Sequence, residues 1–242
     1  MIKFFRKIRK NLLIKGKTTQ YLKYAIGEIV LVVIGILIAL QINNLNEKRN
    51  QQNTLQNIYK SIKSDLQEDI KNIDNVIEVS IPLEKDYLAI INQTWKKRDL
   101  KNCSTCWAVN MGYADLKIRQ NGINLLLDYN KINNTTKDSL TLVIYSLYND
   151  LVNDIHVDLE ELKKDTQQFL IPIADSQPWF ANLGKGLMSD EFIEYALTDV
   201  RYRNYATMIH YILYGKYIPD LVEFKSKGEE IISLIDKKLE ND

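Results

Sequence analysis

AIGEIVLVVIGILIALQI, residues 25–42, is an almost unbroken apolar run with a basic leader before it and a long, mostly polar chain behind it. A helix needs about 20 mainly apolar residues to cross the hydrocarbon of a bilayer, and Tyr24 to Ile42 supplies that length. One acid, Glu28, interrupts it. The twelve Ile, Leu and Val residues of the run favour insertion by roughly 0.3 to 0.6 kcal/mol each, against about 3 kcal/mol for an acid at mid-helix. The apolar side wins. Glu28 also lies about 7 Å from the middle of the run at 1.5 Å per residue, where it can snorkel or stay protonated. The run is read as a membrane span.

The leader sets the expected orientation. Lys3, Arg6, Lys7, Arg9, Lys10, Lys15, Lys17 and Lys23 precede the span, and the first acid of the chain is Glu28. By the positive-inside rule the N-terminus stays in the cytoplasm. The formal net charge of +1 hides this asymmetry, because setting those eight cations aside leaves −7 for everything after Lys23. Gln41-Ile42-Asn43-Asn44 is unlike a small-residue cleavage site, so the run is expected to be an uncleaved signal anchor. The predicted organisation is therefore a basic cytoplasmic leader (1–23), a transmembrane helix (24–43) and an extracytoplasmic helical domain (44–242). The expected location is the inner (cytoplasmic) membrane, single-pass, with the C-terminal domain periplasmic.

The leader places Ile2, Phe5, Ile8, Leu12 and Leu13 at helical spacing among cations. Phe5, Arg6 and Arg9 are thus candidate contacts to anionic membrane lipid; the simpler alternative is a bare topology signal. Within the span, Glu28, Gly35 and Ala39 fall near one face. Small residues four apart allow close helix approach in lipid, and a polar group there can bond a partner. This suggests self-association, as a homo-oligomer or with another membrane or periplasmic protein.

MIKFFRKIRKNLL followed by YAIGEIVLVVIGILIALQINNLNEKR resembles the opening of a family of flavobacterial and related membrane proteins known only as a domain of unknown function. The likeness is dense from Met1 to about Arg49 and much looser beyond. Leu45 stands where the family pattern has tryptophan, so a headgroup anchor expected there is in question. The resemblance implies a single-span, mostly helical protein and implies no activity.

With nine Gly and four Pro in 242 residues, helix is the natural state of the remainder. An apolar stripe at Leu55, Ile58, Ile62, Leu66, Ile70, Ile73 and Ile77 has a period near 3.67 residues, which fits one face of a straight bundle helix. Pro82 is expected to stop or kink it. A shorter helix then carries Leu83, Tyr87, Ile90, Ile91 and Trp95. Asp115 to Tyr129 is expected as a helical pair broken at Asn121-Gly122, with Thr136 as the next N-cap. A long helix over Lys137 to Leu170 bears the stripe Leu140, Ile144, Leu147, Leu151, Ile155, Leu159, Leu162 and Phe169. Its other face bears Asp150, Asp154, Asp158, Glu161 and Asp165, read as solvated. Ile171 to Gly186 is expected as a non-helical connection whose Trp179 and Phe180 either cap the bundle or contact a ligand or partner. Ser189 is an N-cap, and Pro219 kinks or splits the helix after it.

Chemistry is thin. No dinucleotide, phosphate-loop, zincin or serine-hydrolase motif occurs, so no catalytic residues, metal site or cofactor are expected, and the chain is read as a non-enzyme. Arg201, Tyr202, Arg203, Tyr205, His210, Tyr211, Tyr214 and Tyr217 lie close together, Arg and Tyr interleaved as in some nucleic-acid binders, but the domain is acidic, so buried tyrosines are the expected case and no nucleic acid is. Cys103 and Cys106 form a C-x-x-C pair. A disulfide staple is the leading reading in an oxidising compartment. A redox pair would call for βαβ surroundings, and a zinc site for two more ligands, where only His156 and His210 exist. The expected architecture is all-α, one transmembrane helix followed by an antiparallel helical bundle. The expected function is that of an interaction, scaffold or accessory protein; a sensory-type ligand-binding bundle and a thiol-redox factor are the alternatives.

Overall fold

The computed structural model describes residues 18–103, 106–111, 113, 115–133 and 138–241. It is all-helical, with no strand among the described residues. The expected lipid contacts of Phe5, Arg6 and Arg9 and the expected cap at Thr136 lie outside them. The chain divides into two compact units, residues 1–56 and 57–242.

The first unit is described from Thr18 onward as one stretch of helix. Fifteen large apolar side chains between Leu22 and Leu45 are about half exposed or more, among them Ile29 at 63%. An 18-residue window of this helix has a mean hydropathy of 2.6 and buries none of its residues. Among the described residues it is the helix long and apolar enough to cross a membrane.

The second unit is a helical body with an apolar interior. Its first element is the remainder of helix α1 (Thr18–Ile91), followed by the short α2 (Lys97–Lys101) and a 3-10 turn at Cys106–Ala108. Next come α3 (Asn121–Asn133), α4 (Ser139–Ser146), a π turn (Leu147–Leu151) and α5 (Val152–Ser176). After the single turn α6 (Phe180–Leu183) the chain closes with α7 (Asp190–Thr198), α8 (Val200–Ile212), a second π turn (Leu213–Tyr217) and α9 (Ile218–Asn241). The two stripes read from sequence point inward: Ile58, Ile62, Leu66 and Ile73 from α1 and Ile144, Leu151, Ile155 and Leu162 from α4 to α5 are buried, and so are Leu221, Phe224, Ile231 and Ile235 at helical spacing on α9.

Four local expectations are corrected. Pro82 neither stops α1 nor separates a second helix, because α1 runs through it to Ile91. A proline inside a helix costs about 3 kcal/mol, but Tyr87 and Ile90 beyond it are buried, and the Tyr214 hydroxyl donates to the Ser80 carbonyl at 2.7 Å. Packing on both sides of the proline outweighs the local penalty. Asp115 to Gln120 is not helical and has no regular secondary structure, and α3 begins at Asn121 where a break was expected. Residues 171–176 continue α5 through Pro172, with Ile173 buried as its anchor. Pro219 does not split its helix with a break; the π turn at Leu213–Tyr217 hands over directly to α9, with Pro219 in its first turn. A widened turn shifts the hydrogen-bond register just ahead of a residue with no N–H to give.

Ser189 caps α7 as expected, its hydroxyl accepting from the Phe192 N–H at 3.2 Å. At the described start of α4 the cap is Asp138, which accepts from the Thr141 N–H at 2.8 Å and meets Lys238 at 2.9 Å.

Candidate functional site

Buried polar chemistry in the helical body gathers in three places. The first joins α1 to the chain entering α3. Asp65 and Asp69, one turn apart on α1, are both buried, Asp69 completely. Asp65 accepts the Gly122 N–H at 2.7 Å. Asp69 takes the Arg119 N–H at 2.9 Å on one oxygen and its guanidinium at 2.8 Å on the other. These bonds hold Arg119 and Gly122, at the entry to α3, against α1. Beside it lies an open groove lined by Asn72, Asn75, Arg119, His156, Glu160 and Lys163. His156 is an exposed wall residue of that groove.

The second place is on α5. Asp158 belongs to the acid ladder read as a solvated face, yet it is only 6% exposed. The correction comes from the far end of the chain, where the second π turn brings Lys216 and α9 brings Asp220 over it. Lys216 closes on Glu161 at 3.2 Å and reaches Asp158 only at 3.9 Å. Burial, together with the charges of Asp220, Glu161 and Asp154, outweighs that distant lysine and pushes the Asp158 carboxyl up to about 6. Asp220 is raised as well, again chiefly by burial. A carboxyl whose folded value exceeds its unfolded one binds its proton more tightly in the folded state, so stability declines as pH rises from about 4 through about 6 and is lowest above. Asp158→Asn is expected to raise stability at pH 7.5 by about 1 to 2 kcal/mol and to flatten that decline. Urea melts of the solubilised chain at pH 4.5 and 7.5 check it; a variant weaker than wild type at pH 7.5 would mean that the ionised carboxylate is held favourably.

The third place is the cysteine loop. Cys103 and Cys106 are joined as a disulfide. Cys106, Leu100 and Ile193 form a small buried cluster, with Trp95, Met188 and Leu197 packed around it. Behind the loop Asn110, at a positive φ of 65°, is 1% exposed and donates its amide to the Tyr202 carbonyl at 3.2 Å. The Tyr202 hydroxyl returns a bond to the Val109 carbonyl at 3.2 Å, and burial pushes the neighbouring Tyr87 hydroxyl up to about 12. Sequence reasoning missed Asp86 here: its carboxylate and the two sulfurs lie within 4.8 Å of one another. A closed disulfide offers no thiolate to a metal. His210 stands elsewhere, with Nε2 at 3.5 Å from Glu84, so neither histidine joins the cysteines.

The remaining candidates scatter. Trp179 is 6% exposed, its ring 5.1 Å from Phe192 and 5.2 Å from Tyr195, while Phe180 is half-buried at the head of α6. Of the tyrosines near Arg201, Tyr202, Tyr205 and Tyr217 are buried, and Tyr205 stacks on Phe169 at 3.9 Å. On the apolar helix, Gly35 and Ala39 are exposed and Glu28 is partly covered. A side-chain carbon added at Gly35 would meet nothing of the chain within 4 Å.

No curated protein and no solved structure matches the chain. Residues 28–105, which join most of the apolar run to the segment of α1 bearing Asp65, Asp69 and Asp86, are similar to a family of unknown function, DUF6090.

Proposed function

We propose that the chain is a membrane-anchored helical interaction protein, a scaffold or accessory subunit, that self-associates through the Glu28, Gly35 and Ala39 face of its span. The observation that carries this reading is the half-exposed apolar surface from Leu22 to Leu45 beside a body that buries its own apolar stripes. Left in water, that surface would cost on the order of 20 kcal/mol. Lipid or a second helix removes the cost. The cations ahead of Glu28 favour a cytoplasmic N-terminus, which puts the body, an antiparallel helical bundle, on the periplasmic side of the inner membrane. The likeness of the N-terminal segment to flavobacterial single-span proteins points the same way.

Gly35 makes the test clean. Because its side-chain position is open within the chain, Gly35→Leu leaves the monomer undisturbed and acts only on a helix packed against it. Crosslinking in native membranes is expected to give about fivefold less dimer for the variant, the equivalent of about 1 kcal/mol of helix association. Unchanged crosslinked species would remove the span face from the proposal, and a reporter fused after Asp242 that stayed cytosolic would remove the topology. A second reading, a ligand-binding bundle, rests on the groove between α1 and α5. Its mixed lining names no ligand class.

A further inference from the structure

A staple needs nothing beyond two sulfurs in reach of each other, and the Cys103–Cys106 pair has three features more. The sulfurs are unequally covered: Cys106 is 2% exposed among Leu100 and Ile193, whereas Cys103 is only partly buried. The Cys106 N–H donates to Cys103 Sγ at 3.2 Å, a bond that favours negative charge on that sulfur when the disulfide opens. A carboxylate oxygen of Asp86, a residue 5% exposed, lies within 4.8 Å of both sulfurs. One sulfur is thus open to attack, the other is enclosed, and a proton-exchanging group stands within reach of both.

We propose that Cys103, Cys106 and Asp86 form a thiol–disulfide exchange centre acting on the dithiols of partner proteins. A substrate thiolate attacks Cys103 Sγ, the Cys103–Cys106 bond breaks, and its electron pair leaves on Cys106 Sγ. That sulfur takes up a proton through Asp86, because a bare thiolate is costly among apolar side chains. The second substrate thiolate then attacks the substrate sulfur of the mixed disulfide and releases Cys103 as thiolate. The substrate dithiol loses two electrons and two protons and becomes a disulfide; the cysteine pair gains both electrons, Cys106 takes one proton through Asp86, and the other goes to solvent, leaving Cys103 as thiolate. Exchange with a second disulfide-bearing protein, reduced in equal amount, restores the pair. Helices in place of a βαβ frame do not prevent this, since the chemistry asks only for an accessible sulfur, a buried partner and a proton carrier.

The full-length protein in detergent tests it. Dithiothreitol is expected to reduce wild type within minutes without denaturant. With 5,5′-dithiobis(2-nitrobenzoate) near neutral pH, the single thiol of Cys106→Ser is expected to react at least tenfold faster than that of Cys103→Ser. Asp86→Asn is expected to slow reduction of the disulfide about tenfold and to flatten the pH profile of that rate, with Asp86→Glu restoring both in part. The comparison of single-cysteine variants stands even where a change at Asp86 disturbs folding, which melting curves would reveal. A pair reducible only after unfolding, equal reactivity of the two thiols, or a folded Asp86→Asn protein with unchanged rate and pH profile would each overturn the proposal. Crosslinking of the span is independent of all these readouts.

Discussion

Gly122→Ala is expected to destabilise the helical body by about 3 kcal/mol or more, lowering its melting temperature by about 10 °C. A side-chain carbon at this position would lie 2.6 Å from the backbone nitrogen of Ile62 and 2.7 Å from its Cα, well inside van der Waals contact. Both obstacles are helix backbone, so no rotamer change can clear them; α1 and the start of α3 must move apart by close to 1 Å. That movement also stretches the 2.7 Å bond from the Gly122 N–H to Asp65, and a carboxylate buried to 8% exposure then loses a partner at a further cost of about 1 to 3 kcal/mol. Gly228, by contrast, faces the flexible end of Ile70 at 3.3 Å, where a methyl group asks for only a small adjustment. Gly228→Ala is the control that separates close approach from the general effect of adding alanine to a helix. Thermal melts of the two variants in detergent check the difference. Equal melting temperatures would show that the contact between α1 and α3 yields easily.

What the amino-acid pattern could announce and what it could not divides along one physical line. Ile58, Ile62, Leu66, Leu221 and Ile235 repeat at the helical period, and burial of an amphipathic face is a local consequence of that repeat. Ser189 likewise announces a helix start through its own neighbours. Asp65 and Asp69 sit beside stripe positions Leu66 and Ile70, but their burial depends on Gly122 and Arg119, some fifty residues later, and no local period encodes such a meeting. Asp158 is the same case. Its ladder has the spacing of a solvated face, Asp150 and Asp154 stay exposed, and only the arrival of Lys216 and Asp220 covers Asp158. Asp86 is separated from the cysteines by the whole of α2, so the pair reads from sequence as two sulfurs without an acid. Pro82 shows the converse, a strong local signal overruled by tertiary contacts at Ser80, Tyr87 and Ile90. Trp179 was legible as an aromatic in a connection; whether it points outward or onto Phe192 and Tyr195 is decided by α7.

Asp69→Ala is expected to be among the more damaging single changes in the body, about 2 to 3 kcal/mol, because it takes the nearest acceptor from the Arg119 N–H and from a half-buried guanidinium and leaves a gap in the core. Asp69 is fully buried and holds both the backbone N–H and the guanidinium of Arg119. Glu68, at 3.6 Å from the same guanidinium, is half exposed and cannot serve the N–H. Asp69→Asn separates charge from geometry. Its amide oxygen can still accept the Arg119 N–H, while the guanidinium loses its closer acceptor and keeps only Glu68. Burial holds the Asp69 carboxyl above the ordinary carboxylate range despite its bonds to Arg119, so removing the charge relieves part of the desolvation. The asparagine variant is expected to lie about 1 to 2 kcal/mol below wild type. The sign of the pH effect follows from the same shift: with the folded value raised, the wild-type carboxyl stabilises most when protonated, and its contribution declines as pH rises above about 4. The asparagine variant lacks that decline. Urea titrations of the three proteins at pH 5 and 7.5, with Arg119→Gln added to close a double-mutant cycle, measure each part. Alanine and asparagine variants both within about 0.5 kcal/mol of wild type would mean that segment 115–120 is held against α1 by packing alone, and that these acids are guests of the helix contact rather than its cause.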